Sequence, residues 1–142
     1  MKIGLVLLTM NELDGSKALF DKIPWEEFDE KIVLDGNSTD GTYEFYKSKG
    51  IAVISQKNKG LGNAVIEAMN TVTTDAVVFF HPDGNMDSKD TLKFKPFFEH
   101  IFSSISKGKD YLSWSLHIST LSDRPRHLFF FSSNKNLKIQ QN

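Results

Sequence analysis

Four short apolar, β-prone runs, at residues 3–8, 31–34, 51–55 and Ala76–Phe80, each deliver the chain into a polar turn. Helical patterns separate one run from the next. This alternation constrains the fold more than any other property of the chain, because strands that alternate with helices predict a mostly parallel sheet with right-handed crossovers. The fourth run is apolar throughout rather than alternating, as a strand covered on both faces should be. The expected fold class is α/β, a three-layer αβα arrangement around a mostly parallel open sheet. The spacing predicts helices over 16–23, closed by Pro24, over 42–49, ended by Gly50, and over 61–72. In the last of these Leu61, Ala64, Val65, Ala68, Met69 and Val72 recur at three- and four-residue steps.

After Asp90 the pattern weakens. Residues 94–105 suggest a helix interrupted at Pro96, and 111–118 a fifth strand with Leu112, Trp114, Leu116 and Ile118 on one side. From Ser119 onward no period is visible. Leu128 and Phe129 to Phe131 stand among Ser, Asn, Lys and Gln with no evident partner element, a composition that usually frays. The expected organisation is a domain over 1–118 and an irregular tail over 119–142. Exposed phenylalanines at 129–131 would favour association, so a homo-oligomer through the C-terminal part is expected.

Composition sets limits on function. The chain of 142 residues is long enough for one domain that buries roughly two-thirds of its unfolded surface. Its 17 basic and 18 acidic residues leave a net charge of -1, which gives no electrostatic case for nucleic acid as a partner. The lack of cysteine excludes disulfides and Cys-ligated zinc or iron–sulfur sites. The N-terminal apolar run is short of a signal-peptide core and of a membrane span. A cytoplasmic chain without a transmembrane segment, at most peripheral at a membrane, is therefore expected.

The turns carry the chemistry. In an open α/β sheet, ligands bind outside the carboxyl ends of the strands. The second turn, Asp35-Gly36-Asn37-Ser38-Thr39-Asp40-Gly41-Thr42, offers acceptors for ribose hydroxyls or base N–H groups and glycines that let backbone approach a ligand. It reads equally as a strand-to-helix turn with Thr39 or Asp40 as N-cap. Three companions shift the balance: Thr9-Met10-Asn11-Glu12 after the first run, residues 58–64 after the third and 81–87 after the fourth. In the third turn Lys59, Gly60 and Gly62 open the best helix, where backbone N–H groups make a natural diphosphate site. Val65 occupies the third glycine position of a dinucleotide fingerprint, so nicotinamide or flavin binding is not expected. In the fourth turn His81, Asp83 and Asn85, spaced by two, would project to one side of an extended chain. Imidazole, carboxylate and amide oxygen suit Mn²⁺, and the oxygens suit Mg²⁺. A solvated polar turn is the plainer alternative.

These segments resemble the family 2 glycosyltransferases of the GT-A fold, a Rossmann-like nucleotide-binding half, most closely the branch of dolichyl- and polyprenyl-phosphate sugar synthases. The resemblance covers about residues 3–90. DGNSTDGT at 35–42 is similar to the family's acidic turn, and NKGLGNA at 58–64 to its Asn-x-Gly-x-Gly-x-Ala segment. The resemblance implies that Asp35 and Glu12, with Thr9, Asn11, Asn37, Ser38 and Asp40 around them, meet the base or ribose of a sugar nucleotide, and that Lys59, Gly60 and Gly62 line its diphosphate. HPDGN at 81–85 stands where the family carries an Asp-x-Asp metal motif: His81 replaces the first Asp, Asp83 is retained and Asn85 stands for Gln. Leu8 and Met10 replace a family Pro and an aromatic.

The implied reaction is inverting transfer of a sugar from a UDP- or GDP-linked donor, with Mn²⁺ or Mg²⁺, to an acceptor such as a lipid phosphate. An ionised phosphate acceptor needs no strong base, whereas a hydroxyl acceptor gains about 10²–10⁴-fold from one. Asp110, Asp123, His100, His117 and His127 show no pattern that marks them as catalytic. Family members generally run longer after the metal turn, so a chain truncated or altered after about residues 90–118 is expected. The alternatives are a catalytically inactive nucleotide-sugar-binding or assembly module and a sugar nucleotidyltransferase. The latter is disfavoured because the turn after the first run has neither Arg nor a glycine cluster.

Overall fold

The computed structural model describes residues 2–85, 87–92, 96 and 130–132. Strand β1 (Ile3–Thr9) is buried along its whole length. It lies between β2 (Glu30–Asp35) and β4 (Ala76–Phe80), both parallel to it, and β3 (Ala52–Ser55) extends the sheet beyond β2, again parallel. The order β3-β2-β1-β4-β5 is completed by β5 (Phe130–Ser132), which runs antiparallel along β4. The chain thus steps outward from β1 to β3 and then returns to the other side of β1. That reversal is a topological switch point, where an open sheet parts its loops into a cleft.

Side-chain alternation divides the core in two. Ile3, Leu5 and Leu7 of β1 join Val33, Val78 and Phe80 on one face, beneath helices α1 (Leu13–Leu19) and α2 (Thr42–Ser48), with Ile23, Phe28 and Tyr46 filling the layer. Val6 and Leu8 join Ile32, Leu34, Val77 and Phe79 on the other face, beneath α3 (Leu61–Thr71), which contributes Ala64 and Ala68. The expected three-layer α/β arrangement follows directly. Each large side chain buried this way contributes about 1.5–3 kcal/mol, so the continuous apolar runs of β1 and β4 anchor the whole domain.

Three expectations need correction. The first helix starts at Leu13 rather than Ser16, and its α-helical part ends at Leu19, followed by a 3₁₀ turn at Phe20–Lys22. Its start is set by partners from the second turn: the Leu13 N–H donates to Asp40 Oδ2 (3.0 Å) and the Glu12 N–H to Thr42 Oγ1 (3.0 Å). Its end is local, since Pro24 forces Ile23 into an extended conformation. Second, the N-cap residue of α2 is Gly41, at φ 96°, rather than Thr39 or Asp40, although Asp40 Oδ1 still accepts the Thr42 N–H (3.0 Å). Third, the phenylalanine cluster has a partner: Phe130 and Phe131 register with Val78 and Val77 of β4. An edge strand of three residues is too short to show a period. The helix expected over 94–105 (Pro96 apart) and the strand expected over 111–118 lie outside the described residues, as do Asp110, Asp123, His100, His117 and His127. Among the described residues no helix is long and apolar enough to cross a membrane.

Candidate functional site

Strand register brings the four turns to one edge. Thr9 pairs with Asp35, Asp35 with Ser55, and Leu7 with Phe80, so the first three strands end level and the fourth ends beside them. The first two turns are then tied together by side chains. Asp35, at 1% exposure, accepts Thr9 Oγ1 (2.9 Å), Ser38 Oγ (2.6 Å) and the Ser38 N–H (2.8 Å). Ser38 Oγ in turn accepts the Asn11 N–H (2.8 Å), and Asn11 Oδ1 accepts the Thr39 N–H (2.8 Å). Asp40 closes the knot through Leu13 and Thr42, its carboxyl held below the usual range chiefly by the Thr42 hydroxyl and, more weakly, by the Leu13 and Thr42 N–H groups, against an opposing effect of burial. Asn11 and Asn37 both adopt positive φ, 55° and 64°, a conformation that asparagine tolerates better than most residues.

The knot sorts the expected residues. Thr9, Asp35, Ser38 and Asp40 have side chains committed to it, the Asn11 side chain joins it through its amide oxygen alone, and the Glu12 and Asn37 side chains take no part in it. The Asn37 amide donates to the Gln56 carbonyl (3.0 Å), linking the second turn to the third. Glu12 is half-buried at the β1 side of the switch point. Burial first, then the Asp83 and Asp40 carboxylates, push its pKa above the usual range. Asp83, from the turn after β4, is therefore brought within electrostatic reach of the turn after β1.

The third turn is braced from α3. Glu67 accepts the Lys57 and Asn58 N–H groups (2.8 Å each), which hold its carboxyl below the usual range, and Gln56 Nε2 donates to the carbonyls of Asn58 and Gly60. Lys59 is exposed. Among the described residues a Cβ added at Gly60 or Gly62 would meet nothing within 4 Å, and α3 begins with neither a side-chain cap nor an acidic residue in its first turn. Its leading N–H groups thus carry no side-chain cap, and uncapped N–H groups at a helix start suit an anion.

In the fourth turn the expected extended run is not what forms. Gly84, at φ 81°, bends the chain, so Asn85 folds back on Asp83 rather than projecting beside it. The Asn85 N–H donates to Asp83 Oδ1 and its side-chain nitrogen to Asp83 Oδ2, both at 2.9 Å. The Asn85 amide oxygen is left as the atom that could meet a cation. His81 is half-buried and follows β4 directly. Among the described residues no three His, Cys, Asp or Glu side chains form a ready metal cage. The imidazole, carboxylate and amide oxygen are nevertheless donors that suit Mn²⁺, and the two oxygen donors suit Mg²⁺, an ion that usually completes its coordination with water and phosphate oxygens.

Thr42 closes the second motif without having been given a role there, and Gln56, Glu67 and Gly15 lie outside the motifs altogether. Thr42, Gln56 and Glu67 hold turns through contacts that no local pattern announces. Gly15 did leave a signal, a glycine inside a helical stretch, which often marks close backbone approach.

Comparison with known proteins shows the family to which the chain belongs. The profile of the family described as Glycosyl transferase family 2 matches residues 16–135. An uncharacterized glycosyltransferase of Mycobacterium tuberculosis is 30% identical over 108 residues, covering 76% of this chain and 45% of that protein. Glycosyltransferase AglJ of Haloferax volcanii is 33% identical over 86 residues, covering 60% of this chain and 28% of its own. The chain therefore spans less than half the length of these relatives. Among solved structures, glucosyl-3-phosphoglycerate synthase of M. tuberculosis superposes with a TM-score of 0.61 at 28% identity, over 68% of this chain and 40% of that one. Its complex with Mn²⁺, UDP-glucose and phosphoglyceric acid gives a TM-score of 0.53 at 29% identity, over 57% and 33%.

Proposed function

Because the chain belongs to glycosyl transferase family 2, we propose that its four-turn edge is the donor half of a sugar transferase, binding a nucleotide-diphosphate sugar together with a divalent cation. One observation carries the reading: at the switch point the turn after β4 packs its Pro82–Asp83 backbone against the helix that follows the turn after β1, so Glu12 and Asp83 stand on neighbouring turns. The synthase crystallised with Mn²⁺ and UDP-glucose, and also with Mg²⁺ and UDP, supports UDP over GDP as the nucleotide and either ion as the metal.

The residues divide the work. Asn11, Glu12 and Asn37 meet the nucleoside, on a platform fixed by Thr9, Asp35, Ser38 and Asp40. Lys59 and the open start of α3, with Gly60 and Gly62, receive the diphosphate. Asp83, His81 and the Asn85 amide oxygen would hold the cation. When bound, it would supply Lewis-acid neutralisation of the departing diphosphate. Transfer with inversion belongs to the whole protein, whose acceptor is proposed to be phosphorylated. The synthase neighbours carry phosphoglyceric acid. A lipid-phosphate acceptor, implied by the polyprenyl-phosphate resemblance, gains no support from them. Both present an anionic phosphoryl group.

Calorimetry with UDP-glucose and GDP-mannose in Mn²⁺, followed by hydrolysis and by transfer to 3-phosphoglycerate or to a polyprenyl phosphate, tests the reading. Metal-dependent binding of UDP-glucose is expected. Binding without turnover would identify a nucleotide-sugar-binding module, and no metal-dependent binding of either donor would overturn the proposal.

A further inference from the structure

Gly15 stands in the first turn of α1 (Leu13–Leu19). A glycine there costs about 0.5–1 kcal/mol relative to alanine, so its presence needs a reason. The reason is contact. A Cβ at this position would lie 2.0 Å from the Pro82 carbonyl oxygen, 3.1 Å from the Pro82 carbonyl carbon and 3.6 Å from Asp83 Cα. α1 therefore rests directly on the backbone of the turn that carries Asp83, with no side chain between them. The start of the same helix is fixed to the second turn through Leu13 to Asp40 and Glu12 to Thr42. α1 is a strut whose beginning belongs to the nucleoside turns and whose flank bears the turn with the metal-binding carboxylate.

We propose that Gly15 is a positioning residue that sets the separation of Asp83 from Glu12, and through it the coupling between cation and nucleotide. The proposal rests on the donor-site reading above. A backbone oxygen cannot rotate away as a flexible side chain can, so any Cβ at residue 15 must shift either α1 or the 82–83 turn. A shift of the turn displaces Asp83 relative to the nucleoside platform while leaving the knot between the first two turns intact. The penalty then falls on binding with metal and spares binding without it.

UDP titrated calorimetrically into the 142-residue chain, in Mn²⁺ and in EDTA, provides the test. For Gly15→Ala the affinity in Mn²⁺ is expected to fall by about 10–100-fold, the loss typical of disturbed supports around a metal site, with the affinity in EDTA unchanged. Gly4→Ala is the steric control. Its Cβ would lie 2.7 Å from Thr74 Oγ1, in the first half of β1 and away from the turns, so it is expected to lower the melting temperature without changing the ratio of the two affinities. A measurement on the wild type stands independently of how Gly15→Ala folds: adding Mg²⁺ to the UDP-bound chain should move the Gly15 amide resonance and leave that of Gly50 in place. A wild-type affinity ratio in Gly15→Ala, or an unmoved Gly15 resonance, would overturn the inference. If the wild type itself binds UDP no better in Mn²⁺ than in EDTA, the donor-site reading falls and this inference with it.

Discussion

Asp35 and Glu12 stand at neighbouring strand ends and do different work. Asp35 is buried and accepts three donors from two turns. Asp35→Asn replaces one acceptor oxygen with a donor and leaves a buried Thr9 or Ser38 group unpaired. The expected cost is about 1–3 kcal/mol, read as a lower urea midpoint, and an unchanged midpoint would contradict the knot. Glu12 behaves oppositely. Its pKa is raised from the model-peptide value of 4.5, so the folded state favours the protonated form. Its contribution to stability is complete below that value and is lost as pH rises through the raised folded-state pKa. Without divalent ions, Glu12→Gln should therefore melt higher than wild type at pH 7, with the gap closing as pH falls below 4.5. A gap that widens toward acid would show the sign to be wrong. The sequence marks both residues as polar groups at strand ends, which was enough to nominate them. It does not show that Asp35 is consumed by Thr9, 26 positions away, because such a bond exists only once β1 and β2 pair.

Elements were legible where a single segment carries its own signal. The four parallel strands read as apolar runs, and α3 reads from its period. Where a boundary is set from elsewhere in the chain, local reading failed: α1 begins at Leu13 because Asp40 and Thr42 cap it, and the short β5 is defined by its partner β4 alone. The interface of α1 and α2 carries a further expectation. Burial pushes the Tyr46 phenol up to about 12, yet among the described residues its Oη and the buried Ser16 Oγ have no hydrogen-bond partner. A neighbouring hydroxyl that does not reach bonding geometry does little to offset desolvation, so burial governs this site. Tyr46→Phe removes an unsatisfied group from a well-packed position and should keep or raise stability by about 1 kcal/mol. Destabilisation would instead mean that the two hydroxyls are joined, directly or through a buried water.

For the molecule as a whole, the sheet order decides where the candidate site lies. β1 lies between β2 and β4, and the reversal from β3 to β4 brings the Asp83 turn beside the turn that carries Glu12. The site was legible as a set of turns, because parallel strands gather their carboxyl ends on one edge. Its fourth turn was misjudged in shape: Gly84 folds Asn85 back onto Asp83, so the spacing of two does not produce a row of ligands. That bend makes Asp83 the central group of the turn and the best single lever on the account. The most direct test is the affinity for UDP in Mn²⁺ of wild type and Asp83→Ala, with melting temperatures measured alongside. Asp83 is exposed, so the variant should melt like the wild type. Metal-dependent UDP binding in the wild type and its loss in Asp83→Ala is the predicted result, and equal affinity in the two proteins would contradict it.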